Sequence, residues 1–92
     1  MQLDLTDLRL FVRVAEEGQL SRASAKQHLS LAAASARIRA LEEHAGLPLL
    51  FREARGVRLT PAGQSFLHHA RAVLLQIEQL RRDLSEFQAG LR

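Results

Sequence analysis

A chain of 92 residues closes one small hydrophobic core, and its 47% hydrophobic content contains no apolar run near the ~20 residues of a membrane span. Met1-Gln2-Leu3-Asp4 lacks the basic head of a secretory signal, and the absence of cysteine excludes disulfides and thiolate metal sites, which fits the cytoplasm. The net charge is +3 but uneven: residues 20–60 set Arg22, Lys26, Arg37, Arg39, Arg52, Arg55 and Arg58 against Glu42, Glu43 and Glu53 alone.

The first periodic segment spans about Asp7 to Glu17. Leu8, Phe11, Val12 and Ala15 recur at helical spacing, Thr6 is the expected N-cap, and Gly18 supplies a left-handed stop. A short helix is expected from about Arg22 to His28, with Ser21 as N-cap and Leu20 as its hydrophobic staple. Its small Ala23 lets another helix cross closely. Ser30 then caps a third helix, from Leu31 to about His44, whose stripe Ala34, Ile38, Leu41 and Ala45 faces inward. Two helices joined by so tight a turn have helix-turn-helix spacing. The opposite face of the third helix carries Ala32, Ser35, Ala36, Arg39 and Glu43; small and nearly uncharged at its start, it suits insertion into a major groove.

Leu47-Pro48-Leu49-Leu50-Phe51-Arg52, Glu53-Ala54-Arg55-Gly56 and Val57-Arg58-Leu59-Thr60 read as a small two-stranded wing turning at Arg55-Gly56 and bearing Arg52, Arg55 and Arg58. Arginine presents a planar fork suited to phosphate. Thr60-Pro61 opens the last helix, where Phe66, Ala70, Val73, Ile77, Leu80, Leu84, Phe87 and Leu91 alternate in steps of four and three, a heptad seam. About 29 residues give a rod of roughly 43 Å, longer than a three-helix head can cover. The distal seam therefore calls for a second chain, with Val73, Ile77, Leu80, Leu84 and Phe87 as the dimerisation residues. The fold expected is mainly α: a winged helix-turn-helix head over residues 1–60 and a dimerisation helix over 61–92.

Four stretches together carry a resemblance: Phe11-Val12 and Val14-Ala15-Glu16-Glu17-Gly18; Ser21 with Ala23; Ser30, Ser35, Ile38-Arg39, Leu41-Glu42-Glu43; and Arg55-Gly56-Val57-Arg58-Leu59-Thr60 with Ala62-Gly63. In order and spacing the chain resembles the N-terminal DNA-binding domain of LysR-type transcriptional regulators. The resemblance implies a winged helix-turn-helix homodimer joined by antiparallel linker helices, binding interrupted palindromes in double-stranded DNA in a bacterial cytoplasm. It implies a following effector-binding domain, which these residues do not include, so an excised domain or a truncated member is expected.

Many members of that family begin the recognition helix Ser-Gln-Pro and place an arginine after the internal serine. Here those positions read Ser30-Leu31-Ala32 and Ala36. Leu31, Ala32 and Ala36 cannot bond base edges but can pack on thymine methyls, leaving Ser30, Ser35, Arg37 and Arg39 to supply polar contacts. Arg22, Arg52, Arg55 and Lys26 are the phosphate candidates, and Arg58, on the same wing, is counted with them among the DNA-binding residues. For Arg37 a DNA contact and an internal ion pair are both open; for Ser30 capping is the first role. Arg81-Arg82 read as a solvated helix face. No metal spacing exists among the four histidines: adjacent His68 and His69 diverge, and His28 and His44 sit near helix C-termini. No nucleophile–base pair or phosphate loop is recognisable, so neither catalysis, a cofactor nor a small-molecule ligand is expected. Two other readings remain: another winged-helix regulator of the molybdate-responsive type, and a helical protein–protein interaction module.

Overall fold

A computed structural model of the chain describes residues 3–90. Its elements are α1 (Leu5–Glu17), α2 (Leu20–Lys26), α3 (Leu31–Ala45), β1 (Leu50–Glu53), β2 (Gly56–Leu59) and α4 (Pro61–Gln88). Leu91, the last expected seam residue, lies outside the described residues.

Helix α1 begins earlier than Thr6 would allow as a cap. The Asp4 carboxylate accepts the Thr6 N–H at 2.7 Å, so Asp4 is the N-cap and Thr6 lies inside the first turn. Gly18, at φ 69°, ends the helix in the left-handed region. Its buried face also differs from the expected stripe. Leu10, Phe11 and Val14 are fully enclosed, whereas Val12 and Ala15 are half-buried. The cause is that α1 is packed by α2, α3, α4 and β2 at once, so its covered face is wider than one helical stripe.

The second helix also starts early, at Leu20, with Gln19 as an N-cap that makes no side-chain bond. Ser21 is therefore a first-turn residue rather than the cap, and its carbonyl accepts the Ser24 hydroxyl at 2.9 Å. The end of α2 is a Schellman closure: Leu29 N–H reaches Ser24 O, His28 N–H reaches Ala25 O, and His28 takes φ 56°. That reversal hands the chain to Ser30, whose hydroxyl accepts Ala33 N–H at 3.0 Å and starts α3. Ala34, Ile38 and Leu41 enter the core as expected; Ala45, at the helix end, is half-buried.

Strands β1 and β2 pair antiparallel, Leu50 with Leu59 through Glu53 with Gly56. The turn is Ala54-Arg55, one residue before the expected Arg55-Gly56. Gly56 is instead the first residue of β2, at φ 143°, pressed against the carbonyl of Gly18 where no Cβ fits. The adjacent Val57 N–H donates to that carbonyl at 2.9 Å, docking the wing on the α1–α2 turn.

Thr60 ties the wing to α4. Its hydroxyl donates to Pro48 O and accepts Gly63 N–H, each at 2.9 Å, with Pro61 at the first helical position. The N-terminal half of α4 closes the core, Phe66 meeting Phe11 edge to face at 4.7 Å. The distal half runs free, so the molecule extends 53 Å along its long axis against 25 and 20 Å across.

Candidate nucleic-acid interface

Which cations remain available on a surface depends on which are already held by acids. Three of the sequence-selected cations are held. Arg37 donates to Asp7 at 2.9 Å, making the ion pair that was one of its two open roles. Lys26 donates to Glu17 at 2.9 Å, and this hydrogen bond holds the Glu17 carboxyl below the usual carboxylate range. Arg58 donates to Glu53 at 2.7 Å and lies over the Phe51 ring at 4.9 Å. Among the described residues, no ion pair holds Arg22, Arg39, Arg52 or Arg55, and all four are exposed.

Strand alternation separates the wing arginines. Leu50, Arg52, Val57 and Leu59 share one face of the hairpin; Phe51, Glu53 and Arg58 share the other. The first face turns toward the head, where Leu50 is buried. A cleft between wing and head is lined by Arg52, Glu53 and Arg55 on one side and by Leu20, Ser21 and Leu31 on the other, with Glu53 occupied by Arg58. The structure thus brings Arg52 and Arg55 beside the start of α3 and leaves Arg58 on the outer face of the wing. Ser21 and Gln19, which also line this cleft, were missed by sequence reasoning, which treated Ser21 only as a cap.

Along α3 the expected outward face is outward. Ala32, Ala36 and Arg39 are exposed and Ser35 is half-buried beside them. Leu31 is 53% exposed and lines the cleft. Ser30 is exposed and occupied as the cap.

Glu42, read from the sequence only as part of a motif and not as a tether, links α3 to the wing. The Glu42 carboxylate accepts Leu49 N–H at 2.7 Å and Leu50 N–H at 3.2 Å, fixing the first residue of β1 to the last turns of α3. The link spans seven and eight residues across a helix end, which no short motif reports.

Among the described residues no cluster of three potential metal ligands occurs, and no helix is long and apolar enough to cross a membrane. His68 and His69 stack edge to face on α4 at 5.2 Å.

Comparison with known proteins converges on one group. The HcaR activator of the Hca operon in Escherichia coli is 44% identical over 79 residues, covering 86% of this chain and 27% of HcaR. The regulator TfdS of Cupriavidus pinatubonensis is 46% identical over 72 residues, covering 78% of this chain and 24% of TfdS. The chain therefore spans about a quarter of the length of these relatives. The crystal structure of the BenM DNA-binding domain with catB site 1 DNA superposes with a TM-score of 0.91 at 33% identity, over 96% of this chain and 99% of that one. The family model for bacterial regulatory helix-turn-helix proteins of the lysR family matches residues 5–64, and the chain belongs to that family.

Proposed function

We propose that this chain is the operator-reading end of a transcriptional regulator and grips two half-sites of an interrupted palindrome in double-stranded DNA as a homodimer. The observation that carries the reading is the juxtaposition, across one cleft, of Leu31 at the start of α3 with Arg52 and Arg55, which no ion pair holds among the described residues. A recognition helix enters the major groove by its N-terminal turns, and flanking cations then meet the phosphates on either side. The DNA complex of the BenM domain, alike over nearly its whole length, supports the same docking.

Within that reading the residues divide by chemistry. Arg22, Arg52 and Arg55 bind phosphate; Lys26 and Arg37, already paired, are secondary. Ser35 and Arg39 make polar base contacts, while Leu31, Ala32 and Ala36 pack on thymine methyl groups, the apolar features of a major-groove edge. Arg58 steadies the wing from its outer face. Residues 1–60 form the reading head and 61–92 the dimerisation helix, which exposes Val73, Leu80, Leu84 and Phe87 and half-buries Ile77. The work is binding inside a bacterial cell, with no catalytic step and no cofactor in this segment.

A mobility-shift series on AT-rich palindromes at graded salt tests the reading. A DNA reader loses affinity linearly in log–log coordinates as salt rises. Absence of binding to any duplex at low salt would leave a helical interaction module as the surviving alternative.

A further inference from the structure

Over its first two turns the outward side of α3 carries almost no hydrogen-bonding chemistry. Leu31, Ala32 and Ala36 are exposed and end in hydrocarbon alone. Ser30 and Ser35 add only hydroxyls, groups that both donate and accept, and the Ser30 oxygen is already engaged with Ala33 N–H as the helix cap. Arg37 is held by Asp7. The first exposed side chain with an N–H of its own is Arg39, about 12 Å beyond Leu31 along the helix axis.

That poverty of chemistry decides which bases the face can tell apart. At the major-groove edge thymine shows a C5 methyl and an O4 acceptor, whereas cytosine shows a bare C5 and an N4 donor. A side chain with a fixed donor or acceptor separates O4 from N4. Hydrocarbon bonds neither, and a hydroxyl turns to suit whichever it meets. Beneath Leu31, Ala32 and Ala36 the difference that remains is the methyl, and 5-methylcytosine carries that methyl at the same ring position. We infer that the reading head takes 5-methylcytosine for thymine, so that C5-methylated cytosine in duplex DNA is a ligand of the start of α3. The inference rests on the operator reading above, with its apolar contact to methyl groups, and extends the ligand to a modified base. Each covered methyl removes the same apolar area from water on either ring and is worth about fourfold in affinity. Room for it exists: Leu31 is 53% exposed and lines an open cleft of about 560 Å³, so an added methyl meets a side chain that can shift rather than a packed wall. Methylation of a cytosine at such a position turns a mismatch into a thymine-like match, and occupancy of the half-site then depends on the modification.

The test is selection by this chain from a duplex pool with randomised palindromic half-sites, copied in three forms: with ordinary nucleotides, with 5-methylcytosine for cytosine, and with deoxyuridine for thymine. Each pool yields a base preference at every position. Where the ordinary pool prefers thymine to cytosine, the methylcytosine pool is expected to lose most of that preference, cytosine rising about fourfold for each covered methyl. An unchanged preference in the methylcytosine pool overturns the inference; if the deoxyuridine pool has meanwhile lost it, the apolar reading of thymine survives alone. No thymine preference in the ordinary pool, or one that uracil retains in full, overturns both. Leu31→Gln, at an exposed position, separates contact from duplex shape: the gain on methylation should vanish at one position or more. A gain kept at every position by a variant with unchanged thermal unfolding arises in the DNA and overturns the assignment to Leu31. Pools from which nothing is retained at low salt overturn the operator reading itself.

Discussion

Replacing Gly56 by alanine separates the wing from the head at a single point. Two costs follow from the geometry. The backbone sits at φ 143°, where an L side chain is strained by roughly 1–3 kcal/mol. The new Cβ also overlaps the Gly18 carbonyl, so the wing must move and the Val57 N–H to Gly18 O bond is lost, about another 1 kcal/mol. A total of about 2–4 kcal/mol lowers the melting temperature of a domain this size by more than about 10 °C. Gly46→Ala is the internal control, because Gly46 has φ 78° with nothing within 4 Å of its Cβ position and therefore pays the conformational cost alone. Calorimetry at matched concentration should rank wild type, Gly46→Ala and Gly56→Ala in falling order. If Gly56→Ala melts no lower than Gly46→Ala, the close approach at Gly18 does not hold the wing.

Three further outcomes bear on the interface. Arg52→Ala and Arg55→Ala should each reduce the slope of log affinity against log salt by about one per bound site, while Arg58→Ala should leave the slope unchanged. Deoxyuridine in place of thymine in the half-sites removes only the methyl groups; affinity should fall about fourfold for each methyl that Leu31 or Ala32 covers, and Leu31→Gln should abolish that sensitivity. An unchanged affinity on uracil-containing sites would refute apolar readout. Glu17 titrates below the usual carboxylate range because Lys26 bonds its charged form, so the small stability this contributes is present above the ordinary range and lost as pH falls through the lowered value. Lys26→Ala should return the Glu17 carbon chemical-shift midpoint upward in an NMR titration.

What the sequence revealed and concealed follows the range of the interactions concerned. Ser30 and Thr60 cap from within three residues, and Gly18 ends α1 by its own backbone freedom, so local reading located them. The start of α1 was misplaced because Thr6 was taken as the cap, whereas the Asp4 carboxylate two residues earlier accepts the Thr6 N–H. The wing turn moved by one residue for a tertiary reason: Gly56 is needed against Gly18, thirty-eight positions earlier, rather than in the turn. The bond from Glu42 to the β1 amides is invisible for the same cause, since it depends on how α3 and the wing meet. The candidate face of α3 was legible because its period is helical and its small residues leave one consistent side.

Charge shows the same division most clearly. Seven cations between residues 20 and 60 look equivalent in the sequence, yet the fold neutralises Lys26, Arg37 and Arg58 with Glu17, Asp7 and Glu53. Two of those acids belong to α1, outside the basic segment, so a count within the segment could not find them. These pairs are half-exposed and worth little for stability. Their larger consequence is selective. A paired cation must give up its acid before it can meet a phosphate, whereas among the described residues no ion pair holds Arg22, Arg39, Arg52 or Arg55. On the proposed reading, Arg52, Arg55 and Arg39 then supply the steering charge beside the small first turns of α3.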